Sequence, residues 1–187
     1  MPLLGYGISK GRCAACEACI DPFHSIGEGL GALVLATCLI VLPWPSAPIC
    51  GVISLLLLMS ALIDAKTLRL PDFLTLAIAL CSIILAATEG RLISGLIAAM
   101  AAFLILYGLK VWIERQSDKT MFGMGDVKLI AALALWLGTR TPLMLALAAL
   151  MGLIVVAGKK DRPAILPFGP MIATSAFVIG VFVPQGW

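Results

Sequence analysis

Two aspartates, Asp64 and Asp126, each lie where a long apolar run meets a polar segment of the chain. A carboxylate at membrane depth costs about 3 kcal/mol, so such residues are candidates for function. Two carboxyl groups in one poorly solvated site cannot readily both ionise, so one keeps a proton while the other stays charged. Such a pair can activate a water molecule and hydrogen-bond a peptide carbonyl oxygen, which is the chemistry of aspartic proteases.

Each aspartate also has a simpler interpretation. Asp126 could be a helix N-cap, and Asp64 could be an interfacial residue that reaches water beside Lys66. Two glycines precede the second aspartate, in the segment G-M-G-D, and they favour the catalytic alternative. Gly123 and Gly125 would let the backbone take a positive φ or approach a substrate strand closely. We therefore predict a catalytic pair, Asp64 and Asp126, beside a substrate-binding loop that contains both glycines.

The composition indicates a membrane environment. The 187 residues are 61% hydrophobic and 12% charged, with a mean hydropathy of +1.10. A soluble domain is about half apolar and about a quarter charged. The basic residues are divided among the gaps between apolar runs and do not cluster on one soluble face, so we expect membrane lipid as a partner and no nucleic acid.

Apolar runs that could cross, or nearly cross, a bilayer recur along the chain. They occupy residues 29–42, 49–63, 73–88, 92–113, 127–137, 143–157 and 165–183. Several are shorter than the usual span of about 20 residues, so flanking polar residues must extend those helices or the bilayer must thin. We predict an all-α, polytopic bundle of about seven transmembrane helices.

The positions of Lys and Arg predict how this bundle is oriented. If the N-terminus is cytoplasmic, all but two of the 13 basic residues fall on the cytoplasmic side, and Arg91 and Arg140 fall outside. Both aspartates then lie at cytoplasmic helix ends, where they could meet. We further predict a short cytoplasmic segment at residues 1–27 and a transmembrane domain at residues 28–187.

Three segments in this order resemble the type IV prepilin peptidases, a family of G-x-G-D intramembrane aspartyl peptidases. They are D-A-K-T-L-R-L-P-D at 64–72, F-G-M-G-D-V-K-L-I-A-A-L-A-L-W-L-G at 122–138 and P-F-G-P at 167–170. The resemblance implies a multi-pass peptidase of the bacterial inner membrane. Such an enzyme removes the leader of type IV prepilins or type II secretion pseudopilins at the cytoplasmic face, with Asp64 and Asp126 as its catalytic residues.

Charged residues near the aspartates could also contact the substrate. Lys66, Arg69 and Lys128 could orient acidic substrate positions, and a role as positive-inside anchors is the alternative that we favour. We list Lys66 and Lys128 as candidate substrate-binding residues. Asp72 follows Pro71 directly ahead of a helix, so we interpret it as a helix cap and not as a catalytic residue.

The N-terminal cysteines form the pattern C-x-x-C-x-x-C and resemble the second half of the tetracysteine segment of long family members. We therefore expect a short form that lacks the first helix and the first cysteine pair. Cys13 and Cys16 supply two of four possible zinc ligands, and Cys19 or His24 could add another. Reduced thiols without zinc are the interpretation we favour, with His24 in a loop and no cofactor.

Long members of this family also N-methylate the new pilin terminus, using S-adenosylmethionine. That activity is associated with the cytoplasmic region that we expect to be shortened here, so we do not expect methylation. Two other classes of function remain open. Membrane carboxylates also form ion sites in transporters or channels, although these usually lie near the midplane within repeated halves. An inactive scaffold of a secretion machine is the other alternative.

Overall fold

The computed structural model describes residues 22–116, 123–158 and 167–183, with side chains from residue 26 onward. Within these ranges the chain contains seven α-helices and no strand. The helices are α1 (Pro22–Val41), α2 (Ser46–Thr67), α3 (Asp72–Thr88), α4 (Leu92–Gln116), α5 (Met124–Leu137), α6 (Thr141–Gly158) and α7 (Gly169–Phe182), and a 3-10 turn (Gly138–Arg140) joins α5 to α6. The predicted all-α fold is confirmed for this part of the chain.

The predicted apolar runs coincide with the helices, and the differences lie at the helix ends. Helix α2 continues to Thr67 through polar residues, because backbone hydrogen bonding does not stop where hydropathy falls. Helix α7 begins at Gly169, four residues after the start of the apolar run at residue 165. Pro170 explains this start, because proline fits the first turn of a helix and not its interior.

The exterior of the bundle is apolar. Helix α4 buries one residue, Gly95, and exposes 65% of Ile97 and 68% of Ile105. Among the described residues, three segments are long and apolar enough to cross a membrane: Ser46–Thr67, Leu92–Gln116 and Met124–Gly158. Large apolar surfaces of this kind suit lipid and not water. The protein is therefore a membrane protein, while the number of spans remains a prediction.

Four helices share the core that supports the site. Helices α2 and α5 both pack against α3 and against α7. Each of the four contributes a side chain with 0% exposure: Ile53, Ile78, Leu129 and Ile172. A core of this density fixes the relative positions of the helix ends. Residues at the end of α2 and at the starts of α5 and α7 are thereby held close together.

Arg91 and Arg140, the two basic residues predicted to lie outside, share the opposite end of the bundle. Arg91 forms an ion pair with Glu89, and its charge acts on Arg140. Nη1 of Arg140 donates hydrogen bonds to the carbonyl oxygens of Ile179 (3.2 Å) and Val183 (2.5 Å). Which end faces the cytoplasm remains a prediction.

Candidate active site

Asp64 lies in the last turn of α2 and is 6% exposed. The helix ends three residues later at Thr67, and its C-cap, Leu68, takes a left-handed conformation with φ 54°. The N–H of Leu68 donates to the carbonyl oxygen of Asp64 at 2.8 Å, which closes the last turn. The Asp64 side chain therefore projects from a regular helix into the bundle. The alternative in which Asp64 reaches water at the membrane interface is excluded.

The carboxylate of Asp64 binds the first residue of α7. The backbone N–H of Gly169 donates to Oδ2 of Asp64 at 2.9 Å. N–H groups in the first turn of a helix have no partner within the helix, and that end carries a partial positive charge. Because a Cβ at Gly169 would lie 2.6 Å from Oδ2, a side chain at this position would displace the carboxylate.

Asp126 is the third residue of α5 and is half-buried. Gly123 is the N-cap of this helix, and its carbonyl oxygen accepts the N–H groups of Asp126 (3.2 Å) and Val127 (3.4 Å). In return, the carboxylate of Asp126 accepts a hydrogen bond from the Gly123 backbone. The arrangement is that of the acidic residue in a capping box. The alternative in which Asp126 is itself the N-cap is therefore wrong.

The structure brings the two carboxyl groups to the same end of the bundle. Asp64 acts electrostatically on Asp126, so the two groups lie within the range of a direct Coulomb interaction. The proximity follows from the packing, because α2 and α5 share α3 and α7 as neighbours. Both carboxyl groups thus lie at one end of the bundle, and their pairing and catalytic role remain predictions.

The two glycines of the G-M-G-D segment act differently from what the sequence suggested. Neither Gly123 nor Gly125 has a positive φ. Gly125 faces Leu70, in the connection between α2 and α3, and a Cβ at Gly125 would lie 3.1 Å from the Leu70 Cβ. The prediction of positive φ is therefore wrong. The close approach is to the chain itself, and a substrate-binding role for this loop remains a prediction.

Lys128 lies in an ion pair with Asp72. Its Nζ is 2.9 Å from Oδ1 of Asp72, and the two side chains are 43% and 75% exposed. Asp72 is the first residue of α3, with Pro71 as the N-cap, so the interpretation of Asp72 as a cap is wrong. Lys66 is exposed in the last turn of α2, beside Asp64 in sequence. A role in substrate binding for Lys66 and Lys128 remains a prediction.

The N-terminal thiol cluster, Cys13, Cys16 and Cys19, lies outside the described residues. His24 belongs to α1, which begins at Pro22, so its predicted place in a loop is wrong. Whether these residues bind zinc remains untested.

Gly169 is the site residue that sequence reasoning missed. The segment P-F-G-P at 167–170 carries part of the family resemblance, and the sequence alone indicates no role for any of its members. The available signal was a glycine directly before a proline that opens a helix, because Pro170 fixes the helix start and leaves the N–H of Gly169 free to bind a side chain.

Comparison with known proteins decides the family. The model of the type IV leader peptidase family matches residues 51–157, more than half of the chain and including both aspartates. The chain belongs to the type IV leader peptidase family. Nineteen curated proteins match it, whereas no solved structure matches at a significant level.

Several members of the type IV leader peptidase family resemble most of this chain. A prepilin leader peptidase/N-methyltransferase from Aeromonas salmonicida (strain A449) is 33% identical over 95% of the chain and 64% of its own length. The protein of the same name from Klebsiella pneumoniae is 41% identical over 74% of the chain and 62% of its own length. That from Neisseria gonorrhoeae is 31% identical over 96% of the chain. The chain spans less than two thirds of the length of these relatives.

Proposed function

We propose that this chain is a prepilin leader peptidase, an aspartic endopeptidase of the bacterial inner membrane. It would cleave the leader of type IV prepilins or type II secretion pseudopilins. The observation that carries the proposal is the buried carboxylate of Asp64, which is bound by the Gly169 N–H and lies within Coulomb range of Asp126. Membership of the type IV leader peptidase family supports the choice of substrate.

The proposed chemistry needs one proton shared between two carboxyl groups. The charged member takes a proton from a water molecule as its oxygen attacks the scissile carbonyl, and the protonated member donates a hydrogen bond to the carbonyl oxygen. Both Asp64 and Asp126 accept a backbone N–H, which helps to hold each side chain in place.

The position of the pair suits a substrate that straddles the membrane surface. Asp64 ends one apolar helix, and Asp126 opens another. With the N-terminus in the cytoplasm, the positive-inside distribution of Lys and Arg puts this end of the bundle at the inner leaflet. A polar leader in the cytoplasm, followed by an apolar segment in the bilayer, would place its junction beside the two carboxyl groups.

The proposal covers leader removal alone. The curated relatives carry N-methyltransferase in their names as well. Paired carboxylates supply proton transfer, which hydrolysis requires, and they offer nothing specific to methyl transfer. We likewise propose hydrolysis without a metal, with the thiols of Cys13 and Cys16 reduced and free of zinc.

The test is cleavage of a prepilin by the purified protein in detergent, read as a size shift of the substrate. Asp64→Asn and Asp126→Asn keep the shape of the side chain and remove its acid chemistry, and each should abolish cleavage. Asp72→Asn is the matched control, since this exposed carboxylate pairs with Lys128, and it should remain active. Cleavage that survives in both site variants would refute the proposal.

A further inference from the structure

A groove of about 350 Å³ runs along the outside of the bundle between α1, α2 and α7. Its walls follow α2 from Ser54 to Ala65 and α7 from Pro170 to Phe177. At about 1.5 Å per residue the α2 wall is about 16 Å long, or about three helical turns. The groove is therefore long enough for the side chains on one face of a helix, and too small to contain a whole helix.

One end of this groove meets the candidate active site. Ala65 lines it and directly follows Asp64, and Pro170 lines it and directly follows Gly169. The two residues joined by the Asp64–Gly169 hydrogen bond are therefore the immediate chain neighbours of two lining residues. A chain segment that fills the groove therefore ends next to the residues that flank the carboxylate.

The lining is apolar, and its hydroxyl groups already have partners. Among the described residues that line the groove, Ser54 and Thr174 are the polar ones. Ser54 pairs with the buried thiol of Cys38 at 3.6 Å, and the Thr174 hydroxyl donates to the Pro170 carbonyl at 2.7 Å. No hydroxyl in this lining awaits a polar ligand. An apolar occupant fits best.

We propose that this groove binds the apolar transmembrane helix of the substrate and so positions the peptide bond ahead of it at Asp64. This inference rests on the proposed function, and it adds where the substrate docks. Small side chains on both walls, such as Ala61 and Ala173, allow a helix backbone to approach closely, which is how helices associate in lipid. Continuity with the carboxylate favours a substrate helix over a lipid chain.

A second groove serves as the internal comparison. It has a volume of about 490 Å³ and lies between α3, α4 and α5. Lys128 and Asp72 both line it and are joined by their ion pair, so charged groups occupy the wall nearest the site. A substrate helix there would have to bury or break that pair. The groove beside Asp64 has no such cost.

Two substitutions test which of the two grooves binds the substrate helix. Thr174→Trp fills the first groove from an exposed position on α7, and Leu76→Trp is the matched change in the second, where Leu76 is 61% exposed. The substrates are a full prepilin in proteoliposomes and a short soluble peptide that spans the cleavage site without the apolar helix. Wild-type cleavage of both is measured first. If the wild type cleaves neither, the proposed function itself fails.

We expect Thr174→Trp to lower kcat/KM for the full prepilin by about tenfold, mainly through KM, because a tenfold change corresponds to about 1.4 kcal/mol of lost docking. Cleavage of the short peptide should stay near the wild-type rate. Leu76→Trp should leave both substrates near the wild-type rate. Equal losses for both substrates with Thr174→Trp, or a selective loss with Leu76→Trp, would overturn the proposal.

A binding measurement keeps the test independent of turnover and of any folding defect. A photo-crosslinking amino acid is placed at Thr174 or at Leu76 in the Asp126→Asn background, where the substrate should remain uncut. We expect the apolar helix of the prepilin to be captured from position 174 and not from position 76. Capture from position 76 instead, or capture of lipid alone at position 174, would overturn the proposal.

Discussion

The backbone N–H of Gly169 and Oδ2 of Asp64 are joined by a hydrogen bond of 2.9 Å between residues 105 positions apart. The bond links the last turn of α2 to the first turn of α7, and it satisfies a buried carboxylate with a helix N-terminus. The bond therefore fixes the position of the carboxyl group relative to the start of α7.

Gly169→Ala should inactivate the protein while leaving it in the membrane. The new Cβ would lie 2.6 Å from Oδ2 and 2.9 Å from Cγ of Asp64, so the carboxylate must move. Because a displacement of about 1 Å can cost about 100-fold in rate, we expect a loss of that order in prepilin cleavage. Membrane insertion, measured by fractionation, should not change.

Gly108→Ala is the matched control for that substitution. Gly108 lies within α4, and an added Cβ would meet nothing within 4 Å. Alanine also favours the helix by about 1 kcal/mol relative to glycine. We expect wild-type activity from this variant. Similar activity of Gly169→Ala and Gly108→Ala would show that the contact at Asp64 does not matter for catalysis.

The two aspartates should behave as one unit. If they share a proton, removing either one disables the whole mechanism, and removing the second adds little. We therefore expect Asp64→Asn, Asp126→Asn and the double variant to have the same residual rate of prepilin cleavage. If the rate losses of the two single variants multiply in the double variant, the two aspartates act independently, which would contradict a shared site.

Much of this site could be predicted from sequence, because carboxylates at the ends of apolar runs are rare and costly. Asp64 and Asp126 were identified on that ground, and the alternation of helices implied that they could meet. The role of Gly169 could not be predicted. Its donor is a backbone N–H, which residue type does not reveal, and its partner lies 105 positions away. The ion pair of Lys128 with Asp72 could not be predicted for the same reason. The sequence does not show which carboxylate on a neighbouring helix lies next to a given lysine.

The ion pair of Lys128 and Asp72 gives a test of the predicted substrate contact. The pair is exposed, and such pairs contribute about 0–1 kcal/mol. If Lys128 serves only this pair, Lys128→Ala and Asp72→Asn should have similar, small effects on prepilin cleavage. If Lys128 binds the substrate, Lys128→Ala alone should raise KM. A comparison of KM between the two variants decides between these roles.

Removal of metal tests the proposed absence of a cofactor. Paired carboxylates can hydrolyse a peptide bond without a Lewis acid, so prepilin cleavage should be unaffected by a chelator such as EDTA. Zinc content, measured by mass spectrometry on the untreated protein, tests Cys13 and Cys16 separately. Loss of activity with EDTA and recovery with zinc would mean that the cysteine segment supports catalysis. Cys13→Ser together with Cys16→Ser would then reproduce the loss.

Arg140 should stabilise α7 at its C-terminal end, opposite the end that binds Asp64. Its guanidinium donates to the carbonyl oxygens of Ile179 and Val183, where α7 ends and carries a partial negative charge. Hydrogen bonds from a charged group contribute about 1.5–3 kcal/mol, so Arg140→Ala should lower the free energy of unfolding in detergent by about that amount. Arg140→Lys should recover part of the lost free energy of unfolding, since its ammonium keeps a positive charge at this position. Arg69→Ala, at an exposed residue near the aspartates, is the control and should leave stability near wild type. Equal stability of Arg140→Ala and Arg69→Ala would show that the end of α7 needs no cap.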